Sequence, residues 1–120
     1  MKILPYLVLA IATTAPLAAA QAHAFLLRSE PTVGSTMREA PKQVHLWFSE
    51  PVEPAFSGIA LANESGAALK GQGFGLVAGH PDQMTIDLPP LGPGTYRVKW
   101  HVVSVDTHMT EGSFTFSVKP

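Results

Sequence analysis

The chain has 120 residues, a formal net charge of −1 and only 14% charged residues. That is one domain's length, and it carries no basic surface of the kind that nucleic acid requires. Cysteine is absent, which excludes disulfides, iron–sulfur clusters, thiolate zinc sites and a cysteine nucleophile.

Residues 1–22 read as a secretory signal peptide. Lys2 supplies a positive start, residues 3–12 are almost wholly apolar, and Ala20-Gln21-Ala22 is a small-x-small cleavage site. The apolar core is too short to span a bilayer comfortably, so a retained membrane anchor is the weaker reading. Cleavage after Ala22 would leave residues 23–120, 98 of the 120, with His23 first and a net charge of −2 once Lys2 is gone. The expected product is an exported domain that does not span the membrane, and a bacterial periplasm fits it.

The remainder reads as β-strands. Val44, Leu46 and Phe48 alternate with polar or amphipathic neighbours, Ile59 and Leu61 follow, and Met84, Ile86 and Leu88 repeat the pattern. Tyr96, Val98, Trp100 and Val102 form a fourth series, and Phe114, Phe116 and Val118 a fifth. A period of two puts alternate side chains on one face, the signature of a half-buried strand. Turns are expected at residues 31–35, 63–66, 71–75, 79–82 and 89–94, which hold most of the Gly and Pro beyond the leader. Residues 69–79 carry the least pattern and read as an irregular connection. Short strands with this punctuation predict an all-β sandwich or barrel without helices.

His23 is the first candidate ligand. As a chain's first residue it would offer a free amine and imidazole Nδ1, which close a six-membered chelate on one metal ion. The amine titrates near about 7.7–8.0 and imidazole near about 6.5, so protons compete only modestly at neutral pH. Asp106 and His108 are the second candidates. In extended chain their i, i+2 spacing puts both on one face, and they continue the core-facing parity of residues 96–102 through Ser104. Two imidazoles, an amine and a carboxylate make a nitrogen- and oxygen-rich set that prefers Cu(II) to Zn(II). The bland alternative makes Asp106 a turn cap and His108 a surface residue.

His45, His80 and His101 read as structural or solvated, with His80 in a Gly-His-Pro turn. Met37, Met84 and Met109 are scattered and give Cu(I) no thioether cluster. Glu50 and Glu53 flank Pro51 at a strand end, a poor setting for an acid/base pair. No G-x-S-x-G elbow or phosphate loop occurs, so enzyme motifs are wanting.

Several segments together resemble the CopC family of periplasmic copper-binding proteins. They are His23-Ala24-Phe25-Leu26 with Ser29-Glu30-Pro31 and Gly34-Ser35, Val44 through Glu53 (VHLWFSEPVE), Gly94 through Trp100 (GTYRVKW), Val103 through His108 (VSVDTH), and Gly112 through Val118 (GSFTFSV). The resemblance implies a seven-stranded, Greek-key, Ig-like sandwich holding one Cu(II), Cu(2+), per chain. The ion would sit on the amine and imidazole of His23, with His108 and Asp106 completing the site. Glu50 matches a family carboxylate that lies near copper in some members. The implied partner is an inner-membrane copper permease of the CopD type, and the implied role is copper resistance or uptake. One branch of the family adds a Met-rich Cu(I) segment. The equivalent residues here, 62–83, contain no methionine, so a single Cu(II) site is expected.

Three functions follow. The leading one is a copper carrier without turnover. A copper histidine-brace oxidative enzyme is the second, set against by the small size and by a carboxylate at a position oxygen would need. A metal-free periplasmic interaction module is the third, since a sandwich scaffold does not fix function.

Overall fold

The computed structural model describes residues 23–120, together with Ile3. The expected signal peptide, Ile3 apart, lies outside the described residues. Seven strands of five or more residues build the fold: β1 (Leu26–Glu30), β3 (Gln43–Phe48), β4 (Gly58–Ala62), β6 (Gln72–Val77), β7 (His80–Asp87), β8 (Gly94–Val103) and β9 (Met109–Val118). Two-residue strands β2 (Thr36–Met37) and β5 (Ala68–Leu69) lengthen the sheet edges. The one helical element among the described residues is a 3-10 turn, Pro54–Phe56.

The strands form two sheets, ordered β1-β3-β7-β6 and β2-β9-β8-β4-β5. All pairs are antiparallel except β2 with β9. The expected sandwich is therefore the observed architecture, and the alternating residues are its filling. Val44, Leu46 and Phe48 of β3, Met84 of β7, Val98 and Val102 of β8, and Phe116 of β9 are all but wholly buried. Each such side chain withdrawn from water contributes about 1.5–3 kcal/mol, and together they fix which face of each strand turns inward. Tyr96 packs on Phe116 and donates its hydroxyl hydrogen to the Gly92 carbonyl at 2.6 Å, a hydrogen bond back along the chain like that of Ig-type corners. Among the described residues, the strands and the buried apolar cluster lie within residues 24–118.

Two expectations are corrected. Residues 69–79 are not an irregular connection and residues 71–75 are not a turn, while the turn expected at 79–82 falls at Ala78 and Gly79. Gln72–Val77 is β6, which returns through Ala78 and Gly79 into β7, with His80 opening that strand. Glycines at 73 and 75 disguise β6, because they supply no side chains to alternate. Gly73, at φ 66°, sits where the β6–β7 register shifts, a bulge that no other residue type tolerates as readily.

Candidate metal centre

The candidate ligands gather at one end of the sandwich. β8 stops at Val103, and residues 104–108 turn the chain into β9. The Ser104 amide donates to the His108 carbonyl at 2.9 Å and the Thr107 amide to the Ser104 carbonyl at 2.8 Å, closing the turn. Thr107 takes φ 74°, a left-handed conformation that is costly for a β-branched residue. Asp106 and His108 thus share a side because of a tight turn. The extended chain expected from their spacing is not what aligns them.

Ser104 is buried and anchors the turn. Its hydroxyl contacts Asp106 Oδ1 and lies 3.2 Å from the His108 carbonyl, and its backbone bridges to Val52. The other carboxylate oxygen, Oδ2, is 3.1 Å from His108 Nδ1. The Ser104 hydroxyl holds the Asp106 carboxyl below the usual carboxylate range; partial loss of hydration opposes this, and His108 adds to it through its ring, its amide and its charge.

His23 completes the cluster from the other sheet. Its ring lies edge-on to His108 with centroids 4.8 Å apart, and edge-on to Phe25 at 6.5 Å. His23 Nδ1 is buried and has no hydrogen-bond partner among the described residues. A buried polar nitrogen without a partner is uncommon, and it asks for a hydrogen-bond partner, a water or an ion. His23, Asp106 and His108 therefore adjoin in a chain of contacts. Among the described residues, no three His, Cys, Asp or Glu side chains are placed to hold an ion by themselves. Glu50 is exposed, just past the end of β3.

The other histidines stand elsewhere. His45 stacks on Trp47 at 3.6 Å, on the outer face of β3, with its Nε2 2.9 Å from Gln83 Oε1. His101 lies over Gly58, and His80 is exposed at the start of β7. Met84 is in the core, whereas Met109 is exposed beside His108. Composition and spacing gave no role to Ser49 or Thr110, yet both hydroxyls support the residues around His23. Ser104 did carry a signal, as the polar residue that ends an apolar parity series.

A profile of the CopC domain matches residues 26–119. The chain belongs to the CopC family. Among CopC relatives and similar proteins, the chain is 41% identical over 101 residues to Protein YobA of Escherichia coli, covering 82% of this chain and 80% of that one. It is 39% identical over 108 residues to Copper resistance protein C of Pseudomonas syringae pv. tomato, covering 85% of each. The crystal structure of CopC from Methylosinus trichosporium OB3b superposes with a TM-score of 0.77 at 37% identity, over 82% of this chain and 95% of that one. The family match begins at Leu26, three residues after His23.

Proposed function

We propose that this protein is a periplasmic Cu(II) carrier that works in copper resistance or uptake and binds one ion per chain. The ligands are the α-amine and Nδ1 of a processed His23, an imidazole nitrogen of His108, and Asp106. The observation that carries this reading is the buried Nδ1 of His23, which has no hydrogen-bond partner among the described residues and lies beside the His108 ring. The residues fit the ion in three respects. The donor set is nitrogen and oxygen without sulfur, which favours Cu(II). The 3.1 Å between His108 Nδ1 and Asp106 Oδ2 is close to the roughly 2.9 Å that separates two neighbouring ligands about 2.0–2.1 Å from one ion. An ion can therefore stand between these two groups. Finally, the ligand that the side chains lack is the amine, which in the 120-residue chain is a peptide nitrogen and becomes available only when the chain begins at His23.

The copper-resistance names of relatives support the same reading. Glu50, exposed just past the end of β3, is a further candidate carboxylate for the ion. Delivery would be to an inner-membrane copper permease. The chain offers geometry, not turnover: ligands held for uptake and surrendered by exchange or by reduction to Cu(I), which prefers softer donors.

The test is a Cu(II) titration, read by visible absorption and EPR, of residues 23–120 against the same protein with one residue added before His23. Tight binding of one tetragonal Cu(II) by the first and much weaker binding by the second is expected. Equal binding by both removes the amine from the site, and binding by neither removes copper from the function.

A further inference from the structure

Chain ends fray unless they are tied down. A ligand set that includes the α-amine of His23 therefore needs the two residues after it to be held, and here both are. Ala24 is fully buried, and its carbonyl accepts a hydrogen bond from the Thr110 hydroxyl at 2.8 Å. The Phe25 amide donates to Ser49 Oγ at 2.8 Å, and the Ser49 amide donates back to the Phe25 carbonyl at 2.8 Å. The same Ser49 hydroxyl points at the His23 carbonyl, 3.4 Å away.

The two hydroxyls belong to different sheets. Ser49 follows the last residue of β3, in the four-stranded sheet, and Thr110 is the second residue of β9, in the five-stranded sheet. Past Leu26, which pairs with Phe48, the regular β1–β3 ladder ends, and the Ser49 side chain takes the next backbone donor. Residues 23–25 are thus stitched across the open end of the sandwich, from one layer to the other.

We propose that Ser49 and Thr110 are positioning residues for the metal centre: they clamp the backbone of residues 23–25 so that the amine and Nδ1 of His23 meet His108 already ordered. The inference rests on the reading of His23 as the amino-terminal ligand. Its physical basis is preorganisation. A free end would lose its backbone freedom on binding copper, whereas a clamped end has lost it on folding. The clamp leaves the ligand set unchanged and alters the affinity at which it works. Neither hydroxyl contacts a proposed ligand side chain, which separates their role from that of Ser104.

The experiment compares residues 23–120 as the parent, Ser49→Ala, Thr110→Val and Ser49→Thr, each made also with one residue added before His23. Cu(II) affinity is measured by competition titration and the copper environment by EPR. Amide exchange is followed on the metal-free proteins, with thermal unfolding as the folding control. Ser49→Ala and Thr110→Val are each expected to weaken Cu(II) binding about tenfold in the form that begins with His23, the worth of roughly one hydrogen bond. In the extended form, where the amine is a peptide nitrogen, the same substitutions are expected to change affinity by less than about twofold. Ser49→Thr, which keeps the hydroxyl, restores parent affinity, and Ser49→Ala speeds exchange of the Phe25 amide before any copper is added. If the parent prefers copper over its extended form, yet Ser49→Ala and Thr110→Val bind like the parent, the clamp is wrong and the amine ligand stands. If parent and extended form bind alike, the amine ligand falls and the clamp falls with it. Equal losses in both forms make the hydroxyls merely structural and also overturn the proposal.

Discussion

The rings of His23 and His108 stand edge to face with centroids 4.8 Å apart, although one residue precedes β1 and the other lies in the turn before β9. The sandwich brings them together because β1 and β9 belong to opposite layers whose ends meet there, with the Ala24 carbonyl bonded to Thr110 of β9. If both rings bind one ion, removing either leaves too few nitrogen donors. His108→Ala is expected to weaken Cu(II) binding at least about a hundredfold and to alter the EPR hyperfine pattern. The substituted side chain is exposed, so the thermal midpoint of the metal-free protein should stay near that of the parent. Unchanged copper affinity in His108→Ala would remove the residue from the site.

Asp106 gives a pH dependence with a definite sign. Its carboxyl is held below its ordinary value of 3.8, first by the Ser104 hydroxyl. A carboxyl whose folded value is depressed adds stability that is fully present above its unfolded value and fades as pH falls through the folded one. The contribution is thus intact at neutral pH and is lost only in acid, below the ordinary carboxylate range. Ser104→Ala should raise the Asp106 midpoint toward 3.8, followed by NMR of the carboxyl carbon in the metal-free protein. The acid limb of the unfolding curve should move to higher pH with it. A midpoint that stays put would assign the depression to His108 instead.

Much of the fold could be read from period-two alternation, because the residues that alternate are those that fill the core. Val44, Leu46 and Phe48 point inward and His45 and Trp47 outward, as their parity required. β6 escaped detection because Gly73 and Gly75 carry no side chain, and its pairing to β7 is made by backbone groups that no hydropathy pattern records. The site was legible in part. Asp106 and His108 were recognisable as neighbours, but the turn that aligns them depends on Thr107 at φ 74°, a conformation its type does not advertise. Ser49 and Thr110 could not be picked out at all, because their roles lie in contacts made across 24 and 86 positions of chain.

Asp106→Asn separates charge from shape at the same turn. The amide keeps the size of the carboxylate and an oxygen to meet Ser104, but it offers the ion no negative charge. Copper affinity is expected to fall about ten- to a hundredfold, less than for His108→Ala, with one Cu(II) still bound at saturating metal. The measurement is the same competition titration. A variant that binds as tightly as the parent would take Asp106 out of both ligand and orienting roles.

Two glycines in the five-stranded sheet predict opposite outcomes from the same substitution. A Cβ at Gly112 would lie 2.6 Å from Cζ2 of Trp100, its cross-strand partner, and one at Gly58 would lie 2.7 Å from Cε1 of His101, also its cross-strand partner. The clashes are alike in size but differ in what can give way. Trp100 packs edge-on against Phe48 at 5.2 Å and lies against the core, so moving its indole disturbs that contact. His101 is exposed and can swing into solvent by changing rotamer. Gly112→Ala should therefore cost about 1–3 kcal/mol and shift the indole N–H resonance of Trp100. Gly58→Ala should stay within about 0.5 kcal/mol of the parent, since the strand gains a residue less flexible than glycine while the imidazole turns aside. Chemical denaturation of the metal-free protein, with indole resonances followed by NMR, decides the matter. Similar costs at both positions would mean that His101 is held as firmly as Trp100, and that the outer face of this sheet is as closely packed as its inner one.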